Sequence, residues 1–269
     1  MLILLPPSEG KAAPSRGRPL DLDTLGFPEL RSARQEALDA LLAFCRDGSG
    51  APLTDEAERL RVAATLGLGK TQLDAVDTDA RLDTAPTARA DHVYTGVLYE
   101  ALDLPSLEGA AKRRATSSVA ITSGLFGLLR PGDRIPAYRL SGDVTLPGLG
   151  PVASHWRGAL EDAALAALGS GLLLDLRSTA YAAFWRPPAT VADRVASVRV
   201  LHESGGKRKV VSHFNKATKG RIVRTLLEAG DRPRTPAALA EALADHGWTV
   251  ESAEPDARGT RLDVVVREL

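Results

Sequence analysis

The sequence contains one cysteine, Cys45, and one methionine, Met1. A lone thiol forms no internal disulfide framework and no multi-cysteine zinc site. The stretch Leu-Ala-Phe-Cys-Arg around Cys45 has the spacing of a helix face, so a buried thiol is expected rather than a nucleophile or a peroxide sensor. Long apolar runs are also missing. The opening run, Met1 to Leu5, is five residues with no preceding basic region, too short for a signal peptide or a membrane span. A cytoplasmic protein with no membrane partner is expected. Net charge is absent too: 34 basic residues balance 34 acidic ones. No global field draws in nucleic acid or membrane, so any such binding needs a local patch. The five histidines (92, 155, 202, 213, 246) show no i,i+4 pairing, and neither a zincin motif nor a nucleophile elbow occurs. No metal and no cofactor are expected. Lysine is scarce as well: only seven of the 34 basic residues, four of them between 207 and 219.

What is present is ordinary globular material: 269 residues, 44% hydrophobic and 25% charged. Short apolar runs at 1–5, 117–122 and 171–176 predict buried strands. Helical spacing predicts helices over 29–46, 55–66, 154–168, 216–229 and 235–245, the last with Thr235 as N-cap and Pro236 at its first position. Residues 76–91 suggest a loop. Residues 195–202 and 209–214 suggest a hairpin around Ser204-Gly205-Gly206, and 248–252 and 260–266 suggest closing strands. Helices and strands interleave, with no repeat or linker. The expected fold is α+β (mixed α/β), a single domain over 1–269, with a helical insertion at approximately 29–90.

Polar clusters fall at the ends of the expected strands, where ligands of α/β sheets collect. Ser8-Glu9-Gly10-Lys11 follows the first. Ser123 to Arg130 follows the second, and its glycines suggest a tight strand-to-helix turn or an anion-binding helix start. Asp133 to Leu140 carries Tyr138 and Arg139 on opposite faces if extended; the alternative is a core tyrosine and an arginine paired with Asp133. Asp175, Arg177, Ser178 and Tyr181 close the third strand, where a simple Asp175–Arg177 ion pair is the plainer reading. Leu66-Gly67-Leu68-Gly69-Lys70 joins two helices. This is either an ordinary connection or a helix-hairpin-helix element that lays backbone N–H groups on a phosphate.

The basic run is the strongest signal. From Lys207 to Arg224 there are seven Lys or Arg and no acid. Lys216, Lys219 and Arg224 fall on neighbouring turns of one helix, with Gly220 open to close approach between them. Such a run suggests an anionic partner, or a solvated face balanced by acids elsewhere.

Together these clusters resemble the YaaA peroxide-stress family. The matching residues run in order along nearly the whole chain: Pro7 to Lys11, Val93-Tyr94-Thr95-Gly96, Thr122 to Pro131, Pro136 to Leu140, Trp156, Leu176 to Tyr181, and Lys216 to Arg224. Here the first loop is two residues longer and carries Glu9, and Phe126 stands where the family usually has Tyr. The resemblance implies protection against hydrogen peroxide, a lowering of free iron, and DNA binding through a helix-hairpin-helix-like element.

Two functions follow as expectations. In one, double-stranded DNA is held without sequence reading by Gly67, Gly69, Lys70, Arg130, Lys216, Lys219, Arg221 and Arg224. In the other, an enzyme or binder takes a small phosphate- or carboxylate-bearing molecule. Its candidate catalytic groups are Lys11, Ser123, Tyr138, Arg139, Ser178, Tyr181 and Lys216.

Overall fold

The computed structural model describes residues 1–267, and the side chains of all of these except Ser212 and His213. In chain order the first half holds β1 (Leu2–Leu5), α1 (Arg31–Cys45), α2 (Glu56–Thr65), α3 (Leu73–Asp79), β2 (Ala88–Arg89), α4 (Ala90–Val93), α5 (Val97–Leu102), α6 (Gly109–Ser118), β3 (Val119–Ser123), β4 (Gly127–Leu129) and β5 (Arg134–Ile135). The second half holds β6 (Thr145–Leu146), β7 (Gly150–Pro151), α7 (Val152–Leu168), β8 (Leu173–Asp175), α8 (Thr179–Ala182), β9 (Val195–Ser204), β10 (Lys207–Lys209), α9 (Ser212–Ala229), α10 (Pro236–Asp245), β11 (Thr249–Ser252) and β12 (Thr260–Val266).

The central sheet runs β11-β12-β9-β8-β1-β3-β4, with β10 paired to the end of β9. Strands β12, β9, β8, β1 and β3 are mutually parallel, while β4, β10 and β11 run antiparallel to their neighbours. All four residues of β1 and all five of β3 are buried, as central parallel strands covered on both faces must be. The chain leaves β1 for β3 on one side and later returns to β8 on the other. Strand order therefore reverses at β1. Crevices that take ligands in α/β sheets open at the carboxyl ends of such a switch point.

Three local expectations are corrected. No helix follows Ser123. The chain turns at Gly124–Phe126 into β4, because a Cβ at Gly124 would stand 2.2 Å from the Leu140 carbonyl oxygen and Gly127 has φ +70°. No helix start there receives an anion. The 209–214 strand is also replaced: β10 ends at Lys209 and α9 begins at Ser212, so His213 opens a helix rather than sitting in a strand. Within 76–91, α3 persists to Asp79 and α4 starts at Ala90.

Two buried polar anchors fix the layers around the site. Arg34 on α1, with no exposed surface, donates to the carbonyls of Phe126 and Leu128 at 3.1 and 2.7 Å and to Gly26 O at 2.6 Å. The Trp156 indole N–H on α7 donates to Gly124 O at 2.7 Å. Both tie a helix to the β3–β4 turn, whose carbonyls would otherwise be orphaned.

Candidate active site at the carboxyl ends of the parallel strands

The loop after β1 is stitched to the segment before α5. The Ser8 hydroxyl donates to Gly10 O and accepts from the Thr95 N–H, and the Ala12 N–H donates to Val93 O. This folds Lys11 back over the strand ends. Its Nζ donates to Ser8 O at 2.8 Å and stands 4.4 Å from the centre of the Tyr138 ring and 5.5 Å from that of Tyr94. Burial, with the Arg139 charge beside it, pushes the Lys11 ammonium down to about 8. An amine tuned this way exchanges its proton near neutral pH, where an ordinary lysine does not.

Beneath Lys11 lies a row of buried hydroxyls. The Tyr138 hydroxyl hydrogen-bonds the Ser123 hydroxyl at 2.7 Å and the Tyr94 hydroxyl at 2.8 Å, and Ser123 Oγ accepts the Phe126 N–H. Ser123 is 0% and Tyr138 1% exposed, and burial pushes the tyrosine hydroxyls well above their usual range. These groups are shut away from solvent, and Lys11 stands over the rings of Tyr138 and Tyr94. Tyr138 takes the core position of the two expected for it, while Arg139 lies half-buried on the other side. Asp133 accepts the N–H groups of Gly26 and Arg130 instead of pairing with Arg139.

Arg139 donates through its side chain to Glu9 O, and its N–H donates to Asp79 Oδ1 at 2.9 Å. Asp79 is completely buried, its other oxygen has no partner among the described residues, and burial pushes its carboxyl up to about 8. It lies within the field of both Lys11 and Arg139. Sequence reasoning passed over Asp79 because it closes α3, inside the stretch that suggested a loop.

The far wall comes from β8, α5 and α9. Asp175 and Arg177 form the bidentate pair of the plainer reading, at 2.9 and 2.7 Å. Ser178 is exposed on the wall, and Tyr181 is half-buried at the junction of the two halves of the cleft. Lys219 donates to Leu176 O at 3.2 Å, and burial lowers its ammonium. Lys216 is exposed on the same wall, beside Asn215. The structure thus brings together around one cleft Lys11, Arg139, Ser178, Tyr181, Lys216 and Lys219, with Ser123 and Tyr138 underneath.

The other cations are placed elsewhere or already engaged. Arg224 donates to Leu102 O, Asp103 O and Ser106 Oγ at 2.9 to 3.1 Å and pairs with Glu228. Arg130 donates to Ser117 O and Val119 O and lies over the Phe27 ring. Arg221 is exposed. In the Gly67–Gly69 turn the three N–H groups are already spent, on Ala64 O, Ala63 O and Gln72 Oε1. This is the ordinary connection of the two expected there. Leu66, Gly67 and Leu68 edge the cleft, and Lys70 lies exposed beyond them. Gly220 is approached closely, but by α5: a Cβ there would stand 2.3 Å from Leu98 O.

Among the described residues no three His, Cys, Asp or Glu side chains gather to hold a metal ion, and no helix is long and apolar enough to cross a membrane. Cys45 is fully buried, and burial raises its thiol above the usual range.

Comparison with known proteins places this geometry among relatives. Residues 1–254 match the family model described as peroxide stress protein YaaA. A UPF0246 protein of Streptomyces coelicolor is 52% identical over the whole of both chains. A UPF0246 protein of Corynebacterium efficiens is 40% identical over 94% of this chain and 96% of its own, and one from Shewanella loihica is 29% identical over 85% and 86%.

Proposed function

This chain belongs to the peroxide stress protein YaaA family, and we propose that within it the protein binds, and acts on, a small phosphate- or carboxylate-bearing molecule in the cleft at the carboxyl ends of β1, β3 and β8. The observation that carries this reading is Lys11. A desolvated ammonium held on two tyrosine rings, with Arg139 beside it and an underpaired Asp79 beneath, is costly to bury. An anion between Lys11 and Arg139 offsets that cost. Arg139 orients the anion. Lys11, poised near pH 8, holds or moves a proton, backed by the Tyr138–Ser123 pair.

Double-stranded DNA remains the other reading, and it has less to stand on. Of the helix cations that would contact phosphates, Lys219 and Arg224 are engaged with main-chain carbonyls, and the Gly67–Gly69 amides are spent.

Thermal unfolding with inorganic phosphate, sugar phosphates, small dicarboxylates and a short duplex separates the two. A small anion at 100 times its dissociation constant stabilises by about 2.7 kcal/mol. The wild type should gain that stabilisation, and Lys11→Met and Arg139→Gln should lose most of it. A duplex that stabilises all three proteins alike, with no response to small anions, would overturn the proposal.

A further inference from the structure

The cleft has two lobes that meet at Ser8, Glu9 and Tyr181. The smaller, about 170 Å³, is polar and contains Lys11 and Arg139. The larger, about 490 Å³, is walled by Pro6, Pro7, Val97, Leu98 and Leu176. Resting on the small-anion reading above, we infer that the ligand is a nucleoside monophosphate, with its phosphate between Lys11 and Arg139 and its base in the larger lobe.

Size excludes the simplest anions. Ligand cavities run from roughly 300 to 1,000 Å³, and phosphate or a short dicarboxylate leaves the larger lobe empty. Chemistry narrows the rest. The lobe is apolar along Pro6, Pro7, Val97, Leu98 and Leu176 and polar along Thr95, Ser178, Lys216 and Lys219, and on its wall the Asn215 carboxamide oxygen is buried with no partner among the described residues. A buried acceptor left unpaired is costly, and a turn of the Asn215 side chain toward the lobe pairs it with a ligand N–H. An acyl chain fills apolar walls but leaves Asn215 unpaired. A base brings flat apolar faces and an edge of N–H donors, which suits both features.

The walls are held for such a slot. The Tyr99 hydroxyl donates to Pro6 O at 2.7 Å, and the Tyr99 ring stacks on Tyr94, so the Pro6-Pro7 wall is tied to the hydroxyl row under Lys11. Cations stand at both ends, Lys11 and Arg139 in the smaller lobe and Lys216 and Lys219 in the larger, where Asp175 faces Lys219; the smaller lobe's size and polar lining place the phosphate with the first pair. Ser8, Glu9 and Tyr181, at the waist, present polar groups where a ribose would pass.

Isothermal titration of the full chain with AMP, GMP, CMP and UMP, each against ribose 5-phosphate, tests this. At least one nucleotide should bind tenfold or more tighter than ribose 5-phosphate. Asn215→Leu should collapse that ratio toward one while leaving ribose 5-phosphate affinity unchanged, which also shows that the variant folds. Val97→Trp, which fills the larger lobe, should do the same. Arg139→Gln should weaken all ligands alike. Ribose 5-phosphate and all four nucleotides binding within twofold would overturn the nucleotide assignment and leave the small-anion reading standing. An undiminished ratio in both Asn215→Leu and Val97→Trp would likewise overturn the assignment. No response to any ligand, inorganic phosphate included, would remove both.

Discussion

Lys11 and Asp79 carry opposite charges, yet burial moves each toward its neutral form, and both reach about 8. Their effects on stability have opposite signs. The folded Asp79 carboxyl keeps its proton above its ordinary value near 3.8, so the folded state holds a proton the unfolded chain has lost. Stability from this group therefore falls as pH rises from about 4 to about 8. Lys11 is depressed from 10.5, so the unfolded chain holds the extra proton between about 8 and 10.5, and stability from it rises across that window. Asp79→Asn keeps an acceptor for the Arg139 N–H but removes the lower limb. We expect its urea stability, relative to wild type, to grow between pH 5 and pH 8 by at least ~1 kcal/mol, since one pKa unit corresponds to about 1.4 kcal/mol. A constant difference across that range would mean that Asp79 is ionised in the fold at both pH values. Lys11→Met should flatten the upper limb in the same way. Little of this pair could be read in the sequence. Lys11 stood out because lysine is rare and follows a buried strand. Asp79 did not, because its burial arises only when α3 packs beneath the loop of Arg139, some sixty residues away.

At the scale of elements, α9 shows how a charge pattern misleads. Its cations fall on neighbouring turns, as the helical spacing predicts. That spacing does not tell which of them meet protein. Gly220 lets α9 lie directly on α5, and this contact brings Arg224 onto the exposed carbonyls at the end of α5, at Leu102 and Asp103. A cation at a helix C-terminus is the favourable placement. Three substitutions should separate these roles. Gly220→Ala forces a Cβ against Leu98 O and should cost about 1–3 kcal/mol, as overpacking does. Arg224→Ala removes hydrogen bonds to α5 carbonyls that water partly replaces, and should cost about 0.5–1.5 kcal/mol. Lys216→Gln, on an exposed side chain, should change stability by less than about 0.5 kcal/mol. Denaturant midpoints measure all three, and equal small effects would contradict the packing described. The buried strands β1, β3 and β8 were legible because apolar runs of that length have few alternatives. The turn after β3 was not. Its glycines fit a helix start as well as a hairpin, and the choice is made by Trp156 and Leu140, which close over Gly127 and Gly124.

Across the whole molecule, equal numbers of acids and bases leave the surface without a long-range field. Several basic residues here are structural. Arg34, Arg130, Arg177 and Arg224 each hold main-chain carbonyls together, which suits a planar guanidinium with several donors. Of the four α9 cations considered for DNA, Lys219 and Arg224 are engaged, leaving Lys216 and Arg221. If these two alone meet phosphates, duplex binding should show a log–log salt slope of no more than about −2, at roughly −0.9 per phosphate. It should also be weak, in the non-specific range of about 10⁻⁴ to 10⁻⁶ M at physiological salt, and nearly the same for every sequence. Lys216→Gln combined with Arg221→Gln should remove most of the slope. Measuring duplex affinity from 50 to 300 mM salt checks this directly. A slope of −5 or steeper in the wild type would mean that further cations, such as the exposed Lys70, Lys207 and Lys209 or those now bound to carbonyls, meet DNA. If Lys219 is among them, the small-anion cleft is disturbed in the same event, because Lys219 lies on both the cleft wall and the proposed DNA face.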